Sequence, residues 1–286
     1  GFFGVAPGTS KNTNPNALKM LEENSIFTNV AMTKDKQPWW EGKDTQTPAY
    51  DWRGEAYKKN SGSAAHPNSR FTVSMQQCPS YSNEAENPNG VPISAIIFGG
   101  RRPKTIPLVY QAKDWNHGVL MGASMCSQTT AAATGQVGVL RHDPMAMKPF
   151  CGYHYGDYWK HWIEMGKKIK NPPKIFHVNW FRKNDENKFL WPGFGENIRV
   201  LEWIINRTNG KATANTTPIG HTPNLSSLCT DGLDIDEKTL KELTQVTPEG
   251  WAQELENTSS YLEKFAPKVP QELKEELQKI KNSLLI

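Results

Sequence analysis

Arginines, amides and aromatic rings are the residues of this 286-residue chain whose types and spacing could do chemistry. In His66-Pro67-Asn68-Ser69-Arg70 a guanidinium follows a carboxamide by two positions. An arginine presents its N–H donors as a planar fork that grips both oxygens of a carboxylate, and an asparagine adds a donor and an acceptor. On a strand Asn68 and Arg70 share a face, so the pair could hold a small acid. Gly99-Gly100-Arg101-Arg102 ends an apolar run, VPISAIIFGG, that has the length and composition of a buried strand. Glycines at the carboxyl end of a strand let the backbone approach a ligand closely, and an arginine there meets a phosphate. Because extended side chains alternate, only one of Arg101 and Arg102 is expected to face such a site. Each of these arginines has an ordinary alternative as a solvated surface cation.

Further along, NWFRKNDENKFLWPGFGEN sets Phe181, Phe189, Trp191 and Phe194 among charged residues and a proline-glycine turn. No single regular element can carry all four, so they are expected to converge from a loop. Aromatic faces stack on any nucleobase for about 1–3 kcal/mol each, which binds a purine without choosing one; the alternative is an apolar cluster that pins the loop. GVAPGTSK, Gly4 to Lys11, imitates a phosphate-binding loop, but Lys11 follows the hydroxyl residues Thr9 and Ser10 where that motif needs it before them. His142, His154 and His161 lack zinc spacing and read as structural, and no nucleophile elbow is present.

The elements that must position these groups follow from the apolar pattern. Phe27 to Met32 is β-rich, and Lys34 to Ala65 reads as a long polar surface excursion studded with tryptophan. Ile106 to Met125 reads as strand then helix, and Lys174 to Trp180 as a buried strand. Tyr158, Trp162 and Met165 recur at helical spacing. Val200, Leu201, Ile204 and Ile205 form another stripe, with Gly210 as a stop. The last fifty residues read as two amphipathic helices facing a core, with stripes Trp251, Leu255, Leu262, Phe265 and Leu273, Leu277, Ile280, Leu284. Strands interleaved with helices indicate an α/β or mixed α+β fold. A formal charge of +4 from 33 Lys plus Arg and 29 Asp plus Glu is too small and scattered for a nucleic-acid binder, though it suits small anions. No apolar run is long enough to cross a bilayer as a helix, and Cys78, Cys126, Cys151 and Cys229 are spaced as reduced thiols of a soluble protein. The glycine-rich apolar opening GFFGVAPGTS, without an initiating methionine, reads as cut from something longer.

Taken together, PNSRF, AIIFGGRRP, HDPMAM, KIFHVNWFR and FLWPGFGEN resemble the GTP-dependent phosphoenolpyruvate carboxykinase family, in the family's order along nearly the whole chain. The resemblance implies that residues 1–286 are a carboxyl-terminal catalytic and nucleotide-binding lobe with a mixed sheet and carboxyl-terminal helices. It implies conversion of oxaloacetate and GTP to phosphoenolpyruvate, GDP and CO2 in gluconeogenesis, with magnesium on the nucleotide and manganese at the catalytic centre. The substrate motif then falls on Asn68, Ser69 and Arg70, with Arg70 and Asn68 holding the carboxylate. Arg101 matches the arginine at the transferring γ-phosphate. Phe181, Phe189 and Phe194 match the guanine pocket, with Asn197 beside it. The mobile lid falls on Ser127, Gln128, Thr129, Thr130, Ala131, Ala132, Ala133, Thr134 and Gly135. It also implies a monomer of the cytoplasm or, alternatively, the mitochondrial matrix, with no nucleic-acid or membrane partner.

Two departures from the family pattern set further expectations. The family's phosphate loop and its metal-coordinating lysine, histidine and aspartate precede GFFGVAPGTS, so no metal ligand and no turnover are expected of these 286 residues alone. The lid differs as well: Cys126 stands for an arginine, Gln128 for a glutamate, Thr134-Gly135-Gln136 for Glu-His-Lys, and Lys148 for the arginine of a following motif. A closed lid held by ion pairs would lose several of them, which leaves open a divergent guanine-nucleotide-binding pseudoenzyme or paralogue.

Overall fold

A computed structural model describes residues 2–130 and 136–284. Of the expected lid, Ala131, Ala132, Ala133, Thr134 and Gly135 lie outside the described residues. The chain divides into two compact units, Gly1–Val91 with Thr129–Val137, and Pro92–Gln128 with Gly138–Ile286.

In the first unit, β1 (Phe2–Val5), α1 (Pro15–Met20), β2 (Ser25–Thr28), β3 (Ala31–Met32), β4 (Pro38–Trp39) and β5 (Arg70–Val73) follow in order. β5 is the centre of an antiparallel three-stranded sheet, β1-β5-β2, and β3 pairs with β4. Phe71 and Val73 of β5 point into a core with Trp39, Trp40, Ala64 and Ala65. The tryptophan-rich stretch from Lys34 to Ala65, expected at the surface, therefore supplies much of this core. Its polar groups misled the reading because they are spent on backbone distant in sequence: the Glu41 carboxylate accepts the Ala64 N–H at 2.6 Å and the Ala65 N–H at 3.3 Å, and the Trp40 indole donates to the Thr9 carbonyl at 2.8 Å. Gly4 serves packing. A Cβ there would lie 2.4 Å from the Phe71 ring, so the strand needs glycine at this position.

The second unit is built on a five-stranded mixed sheet. Its members are β6 (Ala95–Gly99), β7 (Val109–Gln111), β10 (Lys174–Val178), β11 (Asn215–Thr217) and β12 (Gly220–Thr222), in the order β11-β12-β7-β10-β6. β8 (Cys126–Gln128) and β9 (Leu140–His142) form a separate hairpin. The helices are α2 (Trp115–Ala123), α3 (Tyr155–Lys168), α4 (Asn197–Thr208), α5 (Glu237–Thr244), α6 (Pro248–Glu263) and α7 (Gln271–Leu284). Alternation along β10 splits the core: Ile175 joins the helices α2, α3, α6 and α7 on one face, whereas Phe176 and Val178 join Val200, Trp203 and Leu243 of α4 and α5 on the other. Trp159 and Trp203 are fully buried, and truncating either to alanine should cost about 3–5 kcal/mol.

The mixed α/β architecture, the buried strand β10 and the core-facing terminal helices agree with the sequence reading. Three details differ. β6 is an edge strand, paired on one side alone, with Ile97 41% exposed and Ile93, ahead of the strand, 69% exposed. On α3 the fully buried residues are Trp159 and Ile163, one position past the expected stripe, since Tyr158 and Trp162 pack only partly against the core. On α4, Trp203 replaces Ile205 in the buried stripe, and Ile205 faces solvent. No helix among the described residues is long and apolar enough to cross a membrane.

Candidate functional site

β6 and β10 are the parallel pair of the sheet, with Gly99 opposite Val178, so their carboxyl ends lie side by side. Loops at such ends are where α/β sheets bind ligands. Both sequence-predicted segments of the second unit, the arginine loop and the aromatic loop, leave from this edge.

The arginine loop is fastened through its backbone. Arg101 donates its backbone N–H to the Ser127 hydroxyl at 3.0 Å and accepts the Gln128 N–H at 2.9 Å. Its Nε and one terminal nitrogen both donate to the Gln128 carbonyl, at 2.9 and 2.7 Å. Gly100 permits this approach, because a Cβ there would lie 2.6 Å from the Cys126 carbonyl oxygen. Burial, and then the like charge of Arg141, hold the Arg101 guanidinium below the usual arginine value, with Asp143 partly offsetting them. Two cations only partly matched by one carboxylate leave a local field that favours an arriving anion. Arg102 goes the other way, as alternation requires: it is 5% exposed and ion-paired through a terminal nitrogen to Glu254 of α6.

The aromatic loop is fastened at different points. The Trp191 ring is buried at 1% exposure and its indole donates to Asn197 Oδ1 at 2.9 Å, fixing the start of α4. Phe181 and Phe189 meet edge to face with centroids 6.0 Å apart, and the Lys183 ammonium lies 4.9 Å from the Phe189 ring centre. Phe181, Phe189 and Phe194 nevertheless remain 37%, 58% and 68% exposed. Phe194 occupies the left-handed region with φ +51°, a conformation costing a side-chain-bearing residue roughly 1–2 kcal/mol.

Sequence reasoning missed Asn179, the fully buried residue between these loops. Its Oδ1 accepts the Arg102 N–H at 3.1 Å and the Phe181 N–H at 3.2 Å. Its Nδ2 donates to the Arg102 and Ile106 carbonyls, each at 2.9 Å. The only signal was a carboxamide directly after an apolar strand.

In the first unit the Asn68-Ser69-Arg70 segment enters β5. Arg70 donates from Nε to Asn68 Oδ1 at 2.9 Å, and its guanidinium stands 5.1 Å from the Phe3 ring centre. The Asn68 N–H is accepted by His66 Nδ1 at 3.0 Å, so a histidine shapes the turn. Ser69 is fully buried, and its carbonyl accepts the Ala6 N–H at 3.0 Å.

Within the segment expected as a lid, Ser127 and Gln128 lie in β8, and Gln128 Nε2 donates to the Gly138 carbonyl at 3.2 Å. Thr129 Oγ1 donates to the Gln136 carbonyl, and Thr130 is half-buried. Among the described residues no three histidine, cysteine, aspartate or glutamate side chains gather as a metal site.

The model of the phosphoenolpyruvate carboxykinase C-terminal P-loop domain matches residues 1–283. The chain belongs to this family. It is 54% identical over 288 residues to the phosphoenolpyruvate carboxykinase [GTP] of Chlamydia pneumoniae, covering 99% of this chain and 48% of that protein. The protein of the same name from Anaeromyxobacter dehalogenans strain 2CP-1 is 54% identical over 276 residues, 96% of this chain and 46% of the relative. That of Chlamydia trachomatis is 51% identical over 287 residues, 99% and 48% respectively. The chain thus spans about half the length of the curated carboxykinases it matches.

Proposed function

We propose that the protein carrying this chain is a GTP-dependent phosphoenolpyruvate carboxykinase, decarboxylating oxaloacetate and moving the γ-phosphoryl of GTP onto the enolate to give phosphoenolpyruvate, GDP and CO2. The observation that carries the reading is the aromatic loop: three phenylalanines stay exposed while the tryptophan between them is buried, as a stacking platform for a base requires. Asn197, its Oδ1 already engaged by Trp191, has its amide N–H groups to offer the guanine. Arg101 is the group for the γ-phosphate, where its charge meets the negative oxygens of the phosphoryl in transfer. Arg70, oriented by Asn68 through Nε, would grip the substrate carboxylate with its terminal nitrogens. The lid segment Ser127 to Gly135 would close over the enolate and keep water from protonating it. Magnesium and manganese would supply charge neutralisation, from ligands that the family resemblance places outside this sequence. The protein would act as a cytoplasmic monomer on these small molecules.

The test is GTP- and manganese-dependent oxaloacetate decarboxylation by the protein at the length of its relatives. The account predicts turnover that falls by about a hundredfold or more in Arg101→Ala. A folded protein with no turnover contradicts it. A second reading, a guanine-nucleotide-binding pseudoenzyme, is favoured by the lid: Gln128 spends its amide on the Gly138 carbonyl, a neutral contact where an acidic residue could form an ion pair. It predicts GTP binding without phosphoryl transfer.

A further inference from the structure

Arg101 and Phe181, assigned above to the two ends of one nucleotide, are eighty positions apart in the chain. The backbones of Phe181 and of Arg102, the residue next to Arg101, nonetheless share one side chain. The carboxamide of Asn179 holds the N–H and the carbonyl of Arg102 together, a closed pair of bonds at 3.1 and 2.9 Å. The same Oδ1 accepts the Phe181 N–H at 3.2 Å. A third anchor, Nδ2 to the Ile106 carbonyl at 2.9 Å, fixes the amide plane to the chain entering β7. The amide therefore has both donor hydrogens and its acceptor committed, with no exposure to water. An acceptor shared by two N–H groups cannot turn toward one without weakening the other, and burial makes each loss expensive. Arg102 is also held through its side chain by Glu254, so the arginine side of the clamp carries a second anchor.

We infer that Asn179 is a positioning residue that couples the phosphate-binding arginine loop to the base-stacking loop, so that filling one end of the nucleotide site orders the other. This rests on the nucleotide reading given above. It goes beyond that reading because Asn179 touches no substrate and its effect is on two subsites at once. The coupling also gives a neutral side chain the means to favour a whole nucleoside triphosphate over its separate parts, since the cost of ordering both loops falls once.

The experiment uses the protein at the length of its relatives with two half-ligands, guanosine and inorganic tripolyphosphate, titrated separately. Asn179→Asp keeps the shape and the acceptor but, ionised, cannot donate to the two carbonyls. It is expected to weaken both probes, each by about tenfold. Residue-resolved amide exchange on the unmodified protein supplies a reading that needs no variant. Tripolyphosphate alone should slow exchange of the Phe181 N–H, and guanosine alone that of the Arg102 N–H. Loss of one probe but not the other in Asn179→Asp, or exchange at each amide that ignores the distant probe, overturns the inference. Should Asn179→Asp fail to fold, the exchange experiment decides. Unmodified protein that binds neither probe instead overturns the nucleotide reading, and the inference with it; the two failures are thus distinguishable.

Discussion

The loop after β6 and the loop after β10 start from adjacent parallel strands, yet they present their groups in contrasting ways. The first keeps Arg101 half-buried under four hydrogen bonds to Ser127 and Gln128. The second buries Trp191 and leaves three phenylalanine rings in water. A charge that must meet phosphate gains from being held in place beforehand, because its orientation then costs nothing when the ligand arrives. Flat apolar rings need less orientation, and on the proposed reading they would gain by surrendering water to a base. The adjacent arginines repeat the contrast at a single step of chain, Arg101 half-buried on the Gln128 carbonyl and Arg102 in the core on Glu254.

The largest expected effect separates those arginines. Arg102→Ala leaves the Glu254 carboxylate without its partner at a largely buried position, and denaturant unfolding should show a loss of about 3–5 kcal/mol. Arg101→Ala should cost no more than about 1–2 kcal/mol of stability while removing most of the tripolyphosphate affinity. Similar stability losses in the two variants would break the comparison. In the aromatic loop, Trp191→Ala should destabilise by about 3–5 kcal/mol, whereas Phe189→Ala should leave unfolding nearly unchanged and weaken guanosine by about 1–3 kcal/mol in a calorimetric titration. An unchanged guanosine affinity places the base elsewhere.

A third expectation concerns acid. Burial, with Arg102 adding to it, pushes His177 down to about 3, and burial pushes His117 down to about 4, from an ordinary value of 6.5. Between those limits the unfolded chain binds more protons than the folded one. The stability these neutral histidines represent is complete above pH 6.5 and is lost as pH falls toward 3. Melting temperature should therefore decline through that window, and His177→Phe, which can still stack on Tyr110, should flatten the decline. A flat profile in the native protein contradicts the burial argument. The smallest effect is at Phe194. Asn tolerates φ +51° better than Phe, so Phe194→Asn should gain up to about 1 kcal/mol of stability while guanosine binding weakens. Loss of both would mean that the ring is packed.

The sequence made the aromatic loop, the glycine-arginine loop and the amphipathic terminal helices legible because each is written in local spacing. It did not show that VPISAIIFGG lies at a sheet edge, since an apolar run is the same whether one side or both are paired. Trp39 and Trp40 looked like surface aromatics because the groups that bury them, Ala64, Ala65 and β5, arrive more than twenty residues later. Asn179 was missed for the same reason: its partners at Arg102 and Ile106 lie 77 and 73 positions earlier. The contrast between Arg101 and Arg102 was visible from strand alternation alone, although the partner Glu254 was not.

The most direct measurement is a comparison of GTP with guanosine on the unmodified protein and on Arg101→Ala, read by calorimetry or tryptophan emission. The account predicts that the unmodified protein prefers GTP by a wide margin, and that Arg101→Ala removes most of that margin while guanosine binds as before. An unaltered preference for GTP in the variant, or a parallel loss of both ligands, would contradict the assignment of separate ends of one nucleotide to these two loops.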